Sequence, residues 1–241
     1  MHSSKIRQRS NNLLLDSLPQ VDFDLLHSRV EQVELQQGDI LYRAKEPITE
    51  IYFPTTGFLS LVNSTPDGEI VEVGATGIEG FVGIPLFLGE NTAPYQVEVQ
   101  ISGRALKLST TAFIEVLDRS VALRERVAAF IYLKIAQLNQ SAVCNRFHRV
   151  EERLCRWLLV AQDRMRTPEL ALTREVLAHM VGSRRPAISL VTNVLQAEGL
   201  ILAERGKITI LDRKGMEASA CECYHIMREE VDRYLEKINR L

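Results

Sequence analysis

From Ser120 to Thr167 the chain contains neither glycine nor proline. A stretch of that length with no breaker is helical, and Ser120 is placed to cap its start. Within it Val121, Ala128, Ile131, Ile135, Leu138 and Ala142 recur at alternating heptad positions, interrupted by the polar Arg124 and Asn145. Extended to Asn145, this helix is roughly 40 Å long. So narrow a stripe fits a two-helix coiled-coil seam, and a parallel homodimer is expected; a helix lying on its own barrel is the alternative. After Phe147 the phase changes. Val150, Leu154, Trp157, Leu158 and Ala161 define a second amphipathic helix, with Trp157 as a core anchor and a hinge at Phe147–His148.

The 241 residues, 46% apolar and 25% charged, suffice for two modest domains. Ahead of the long helix, short segments alternate apolar and polar residues and are rich in β-branched and aromatic types. These are 50–53, 57–62, 69–74, 95–100 and 104–108, separated by turns at Gln37-Gly38-Asp39, Pro66-Asp67-Gly68, Gly89-Glu90-Asn91 and Ser102-Gly103. Strands so short and so spaced predict a jelly roll or barrel. The N-terminal three-leucine run is too short for a secretory leader. The apolar windows at 81–89 and 127–133 fall far below a membrane span, so a cytoplasmic protein with no membrane partner is expected.

The net charge of −2 hides an asymmetry. Residues 1–143 carry 12 Lys and Arg against 17 Asp and Glu, residues 144–214 carry 13 against 8, and residues 215–241 carry 4 against 6. An acidic front and a basic rear direct only the rear toward a polyanion such as DNA.

Inside that basic region, residues 172–201 read as helix, tight turn, helix. Thr173 caps the first helix, Gly182 supplies the turn and Ser183 caps the second, whose Ile188, Val191 and Leu195 face inward. Pro186 is tolerated in a first turn. The outward face then presents Arg184, Arg185, Ser189 and Thr192. Arginine bonds bidentately to guanine, while Thr173, Arg174 and Ser183 suit the phosphate backbone. Residues 201–211 follow as a hairpin turning at Gly206, a wing with Lys207 at its tip.

Barrel, long helix and the run LTREVLAHMVGSRRPAIS...LQAEGLI...RGKITILDRKG together resemble the Crp/Fnr family of bacterial transcription regulators, over residues 20–215. The resemblance implies an α+β architecture. It comprises an N-terminal extension (1–19), a cyclic-nucleotide-binding-like, double-stranded β-helix (cupin-like) sensor domain (20–115), a dimerisation helix and hinge (116–147), a winged helix-turn-helix (148–214) and a C-terminal helix (215–241). It also implies a homodimer on double-stranded DNA, with a recognition helix at about 184–198 in the major groove.

The chain departs from the family pattern in two places. Where many members carry Arg-Glu and a second Arg about four residues later, this chain has Arg185, Pro186 and Leu190, so its operator should differ from the best-known one. Where cyclic-nucleotide binders place a phosphate-holding Arg, it has Thr92, Ala93 and Pro94, and residues 46–103 contain no Lys, Arg or His. Glu79, Gly80, Phe81, Val82 and Glu90 mark the matching effector pocket. Glu79 and Glu90 are candidate ribose contacts or, on the alternative reading, solvated loop acids. Binding is therefore expected not to depend on a cyclic nucleotide; a nucleotide-responsive regulator and a protein-binding adaptor are the alternatives.

No cofactor or enzyme activity is expected, since the barrel lacks metal-binding histidines and no nucleophile–base pair stands out. No metal is expected either: Cys221, Cys223 and His225 would diverge on a helix, leaving Cys144, Cys155, Cys221 and Cys223 as packing thiols. The tail from Gly215 reads as one amphipathic helix on the winged domain or on a partner subunit, and RNA polymerase is a further candidate partner for it.

Overall fold

The computed structural model describes residues 10–241; the first part of the expected 1–19 extension lies outside them. A short helix α1 (Leu13–Asp16) is capped by Asn12, whose Oδ1 accepts the Leu15 N–H while its amide donates to the Pro54 and Gly80 carbonyls at 2.9 and 2.8 Å. Leu14, Leu15 and Leu18 are buried in the barrel core. Next along the chain are α2 (Gln20–His27), β1 (Glu31–Leu35), β2 (Ile40–Tyr42), β3 (Glu50–Ser64), β4 (Ile70–Thr76), α3 (Ile84–Phe87) and β5 (Gln96–Ser109). The strands pair antiparallel in the order β1-β5-β3-β4, with β2 also on β5.

The expected strands at 50–53 and 57–62 are one strand, β3, and those at 95–100 and 104–108 are one strand, β5. The two pair along most of their length, with register shifts between Pro54 and Leu59. There Gly57 and Gly103 meet. A Cβ on Gly103 would stand 2.4 Å from the Thr56 carbonyl oxygen, and one on Gly57 2.8 Å from that of Ile101, so no side chain fits at either. Beyond this point β3 is buried on both faces. Leu59 and Leu61 enter the barrel core, and Phe58 and Val62 pack on the C-terminal module. That double burial explains why apolar residues occupy both faces between Phe58 and Val62, with only Ser60 between them. The barrel core closes on Phe53, Phe81, Phe113 and Phe130, with ring centroids 5.4–6.4 Å apart.

Helix α4 (Thr110–Arg119) leads into α5 (Val121–Phe147), 27 residues capped by Ser120, whose hydroxyl accepts the Leu123 N–H at 2.9 Å. One face of α5 buries Leu123, Val127, Phe130 and Leu133 against the barrel. Another leaves Val121, Ala128, Ile135, Leu138 and Ala142 exposed, with Ile131 half-buried. The long helix thus lies on its own barrel and also presents a free apolar stripe. His148 is extended, and α6 (Val150–Met165) begins two residues later. Trp157 on α6 is buried, donates to Glu72 Oε1 at 2.9 Å and meets Phe58 edge-on, joining the barrel to the C-terminal module.

That module comprises β6 (Glu169–Leu170), α7 (Arg174–Val181), α8 (Arg185–Ala197), β7 (Ile201–Glu204) and β8 (Lys207–Ile210), with sheet order β6-β8-β7. The tail is two helices, α9 (Arg213–Ser219) and α10 (Cys223–Arg240), rather than the single one expected, because Ala220 is extended. Cys221 falls in the break and Cys223 opens α10, so the two thiols converge instead of diverging, and His225 is exposed. Helix α10 does not end on the winged domain: Tyr234 and Ile238 sit in the barrel core, and the Tyr234 hydroxyl donates to the Glu79 carbonyl at 2.9 Å. Among the described residues, no helix is long and apolar enough to cross a membrane.

Candidate nucleic-acid interface

Helices α7 and α8 are set by their termini. Thr173 Oγ1 accepts the Val176 N–H at 3.2 Å. Gly182 ends α7 in the left-handed region at φ 60°, which lets the Gly182 and Ser183 amides return to the His179 and Ala178 carbonyls. Ile188 and Leu195 then bury α8 against the module core.

Ser183 does not cap α8. Arg184 holds the N-cap position with extended backbone, α8 starts at Arg185, and no side chain caps its first amides. Those N–H groups, with the positive end of the helix dipole, face outward beside Arg184 and Arg185, both exposed. Thr192 is not on the outward face. It is buried, and its hydroxyl donates to the carbonyls of Ile188 and Ser189 at 2.9 and 3.1 Å, because 188, 192 and 195 lie on one inner stripe. The outer row instead runs Arg185, Ser189 (half-buried) and Asn193, in steps of four. Asn193, missed in the sequence, accepts a hydrogen bond from exposed Arg174 at 3.1 Å; its signal was the four-residue step from Ser189.

The wing places its cations differently from expectation. Lys207 is not at the tip but opens β8, with its ammonium 3.0 Å from Glu204 and 3.9 Å from Glu169. The tip is Arg205 and Gly206, and Arg205 is exposed. The module also leans on the barrel. Ser60 Oγ approaches Met180 Sδ at 3.5 Å, and the Gln37 amide donates to the Ala171 carbonyl at 3.1 Å.

A second feature is a cavity of about 490 Å³ bounded by β4, α5, α6 and α10. Of the expected effector-pocket residues, Glu79 alone lines it. Phe81 belongs to the aromatic stack, Val82 pairs with Tyr52, Gly80 abuts the Phe130 ring and Glu90 is exposed. Glu79 is not a solvated loop acid but 3% exposed. One of its carboxylate oxygens is 2.9 Å from Arg164 and 3.8 Å from Lys134, and the other accepts the Gly77 N–H at 3.0 Å. Burial works to raise its pKa, but Arg164 and then Lys134 outweigh it and hold the carboxyl below its usual range. Burial drives the Lys134 ammonium the other way, down to about 7, against the pull of Glu79. The cations absent from residues 46–103 thus arrive from α5 and α6.

The sequence matches two family models, the cyclic nucleotide-binding domain over residues 32–120 and the Crp-like helix-turn-helix domain over residues 152–219. The first runs from β1 to the end of α4; the second runs from α6 to α9. The chain belongs to the Crp/Fnr family of transcription regulators. Solved Crp/Fnr structures share its fold. A putative Crp/Fnr regulator from Eubacterium rectale is 18% identical with a TM-score of 0.68, covering 91% of this chain and 100% of that one. The c-di-GMP-responsive global regulator CLP of Xanthomonas campestris is 17% identical with a TM-score of 0.66, covering 80% and 100%. A CRP-family regulator from Thermus thermophilus is 19% identical with a TM-score of 0.67, covering 78% and 96%. Among curated proteins none is significantly similar in sequence. As a Crp/Fnr regulator the chain carries a DNA-binding helix-turn-helix and a cyclic-nucleotide-binding-type jelly roll, as the sequence led us to expect.

Proposed function

We propose that this regulator binds a near-palindromic operator as a homodimer, without requiring a cyclic nucleotide. The observation that carries the DNA contact is the start of α8, where Arg184, Arg185 and uncapped amides share one exposed surface beside the wing. Arg185 reads a base edge, with Arg184 reading or clamping phosphate; Ser189 and Asn193 continue along the groove, and Thr173, Arg174 and Arg205 meet the backbone. Support for dimerisation is the free stripe of Val121, Ala128, Ile135, Leu138 and Ala142 on α5, which would otherwise leave apolar surface in water.

Two features favour independence from cyclic nucleotides. The barrel segment at Thr92–Pro94 offers no cation, and the cavity's Lys134 and Arg164 already face Glu79. An incoming phosphate would have to compete with that carboxylate for Lys134 and Arg164; Arg156, Arg166 and Arg228 also line the cavity.

The test is fluorescence-anisotropy binding to a DNA pool selected by the protein itself, with and without cyclic AMP. Tight binding unmoved by the nucleotide supports the proposal; binding that appears only with cyclic AMP overturns the effector reading. Leu138→Asp combined with Ile135→Asp should yield monomers by analytical ultracentrifugation. A dimer that survives both substitutions moves the interface elsewhere.

A further inference from the structure

All four cysteines are free thiols, and three of them are gathered at one place. Cys144 sits in the last turn of α5, Cys221 in the break after α9, and Cys223 at the start of α10; together they form a small buried cluster apart from both main cores. His148, the residue after α5 and the hinge before α6, completes it. The three Sγ atoms and a ring nitrogen of His148 lie within 4.8 Å of one another. Cys144 and Cys221 Sγ are 3.6 Å apart, and Cys223 Sγ is 3.4 Å from His148 Nδ1. A tetrahedral ion with bonds of about 2.3 Å to sulfur and about 2.0–2.1 Å to nitrogen requires edges of roughly 3.5–3.8 Å. The Cys144–Cys221 and Cys223–His148 separations are close to that size, and the remaining ones, all within 4.8 Å, need only a modest contraction around an ion.

The surroundings fit the same chemistry. His148 turns Nδ1 toward the thiols, and its other nitrogen, Nε2, is 3.1 Å from Glu222 Oε1. A carboxylate behind a histidine fixes the ring and its tautomer for metal ligation. Gln140 donates an amide N–H to Cys223 Sγ at 3.0 Å, a bond that favours a thiolate. Cys155 is elsewhere, packed in the core of the DNA-binding module.

We propose that Cys144, His148, Cys221 and Cys223 form a binding site for one thiophilic divalent cation of the zinc class. Three thiolates and one imidazole exclude magnesium and calcium, which demand oxygen ligands. Ligand atoms packed this closely suit a single ion, whereas an iron–sulfur cluster spreads its thiolates over several irons. Binding releases the thiol protons. The resulting charge, three thiolates against one dication, is −1. The site ties the end of the long helix and the hinge residue to the root of α10. Metal occupancy therefore fixes how the DNA-binding module leaves α5. The inference stands whether or not the proposed operator and effector readings hold.

The experiment uses the full chain, purified under reducing conditions and saturated with zinc, then desalted for elemental analysis. One zinc per chain is expected. Cobalt(II) should replace it with the intense visible and near-ultraviolet absorption of a tetrahedral, thiolate-bound ion. Cys144→Ser and Cys223→Ser should each lose stoichiometric metal, and Cys155→Ser should keep it. Glu222→Gln should retain the ion with affinity lowered about 10-fold or more, since it acts by positioning His148. If the cysteine variants do not fold, the cobalt spectrum of the unaltered chain decides. A metal-free chain after saturation, an octahedral cobalt spectrum, or serine variants that hold zinc as the parent does would each overturn the site. So would air oxidation that joins Cys144 to Cys221 as fast with zinc as without it.

Discussion

Two groups of cations in this molecule stand in opposite circumstances. At the start of α8 and on the wing, Arg184, Arg185 and Arg205 stand exposed in water. Around the cavity, buried Lys134 and partly buried Arg164 are gathered on Glu79. The first group is available to a polyanion that neutralises it on contact; the second is neutralised within the fold. Positive charge alone therefore does not locate the DNA surface in this chain. What does is positive charge without an internal counter-charge.

The most damaging way to test that contrast is to remove Glu79. Glu79→Gln removes the carboxylate that contacts Arg164 and Lys134, leaving Glu72 as the carboxylate that still acts on both, and should cost about 3 kcal/mol of stability, read from urea unfolding at unchanged m. A cost below about 1 kcal/mol would mean that solvent reaches the pair, and the two groups would not differ in kind.

Next in size is Arg185→Ala. It should lose about 1–3 kcal/mol of binding per half-site on the selected operator and far less on random DNA. Equal loss on both would make Arg185 a phosphate contact. Thr173→Ala should cost about 1 kcal/mol of stability by removing the cap of α7. At the wing, Arg205→Ala should lower the salt slope of DNA binding by about 1, while Lys207→Ala leaves it nearly unchanged because Lys207 already faces Glu204 and Glu169. The reverse ranking would restore Lys207 as the tip contact.

A pH series sharpens the buried side. Lys134 is held down to about 7, chiefly by burial, while an unfolded lysine titrates near 10.4. Between those values the unfolded chain binds more protons, so this group makes stability rise with pH across the window. Lys134→Met should flatten that rise in pH-dependent unfolding. An unchanged slope would show that Lys134 stays charged in the fold.

Much of this was legible locally. The Ser120 and Thr173 caps, the Gly182 turn, the change of phase at Phe147–His148 and the inward stripe at Ile188 and Leu195 are short-range matters, and the structure has each of them. The errors also share a cause. The chemistry of a hydroxyl suggests an outward Thr192, but the stripe 188, 192, 195 places it inward. The tail was extended through Ala220 because nothing in its apolar spacing marks the break. The expected gap at 54–56 between strands 50–53 and 57–62 is a region of shifted register within one strand rather than an end.

The sequence by itself determined the order of elements, the capped helix-turn-helix with its arginines, and the apolar stripe on the long helix. Each rests on residues within one or two turns of one another, so spacing carries the information. Tertiary structure decided which charges are free and which groups form sites. Glu79 meets Lys134 and Arg164, and Cys144 meets Cys221 and Cys223, across long stretches of chain. No periodicity records such encounters. They follow from α5, α6 and α10 packing against the barrel, and packing is settled by the burial of many residues together.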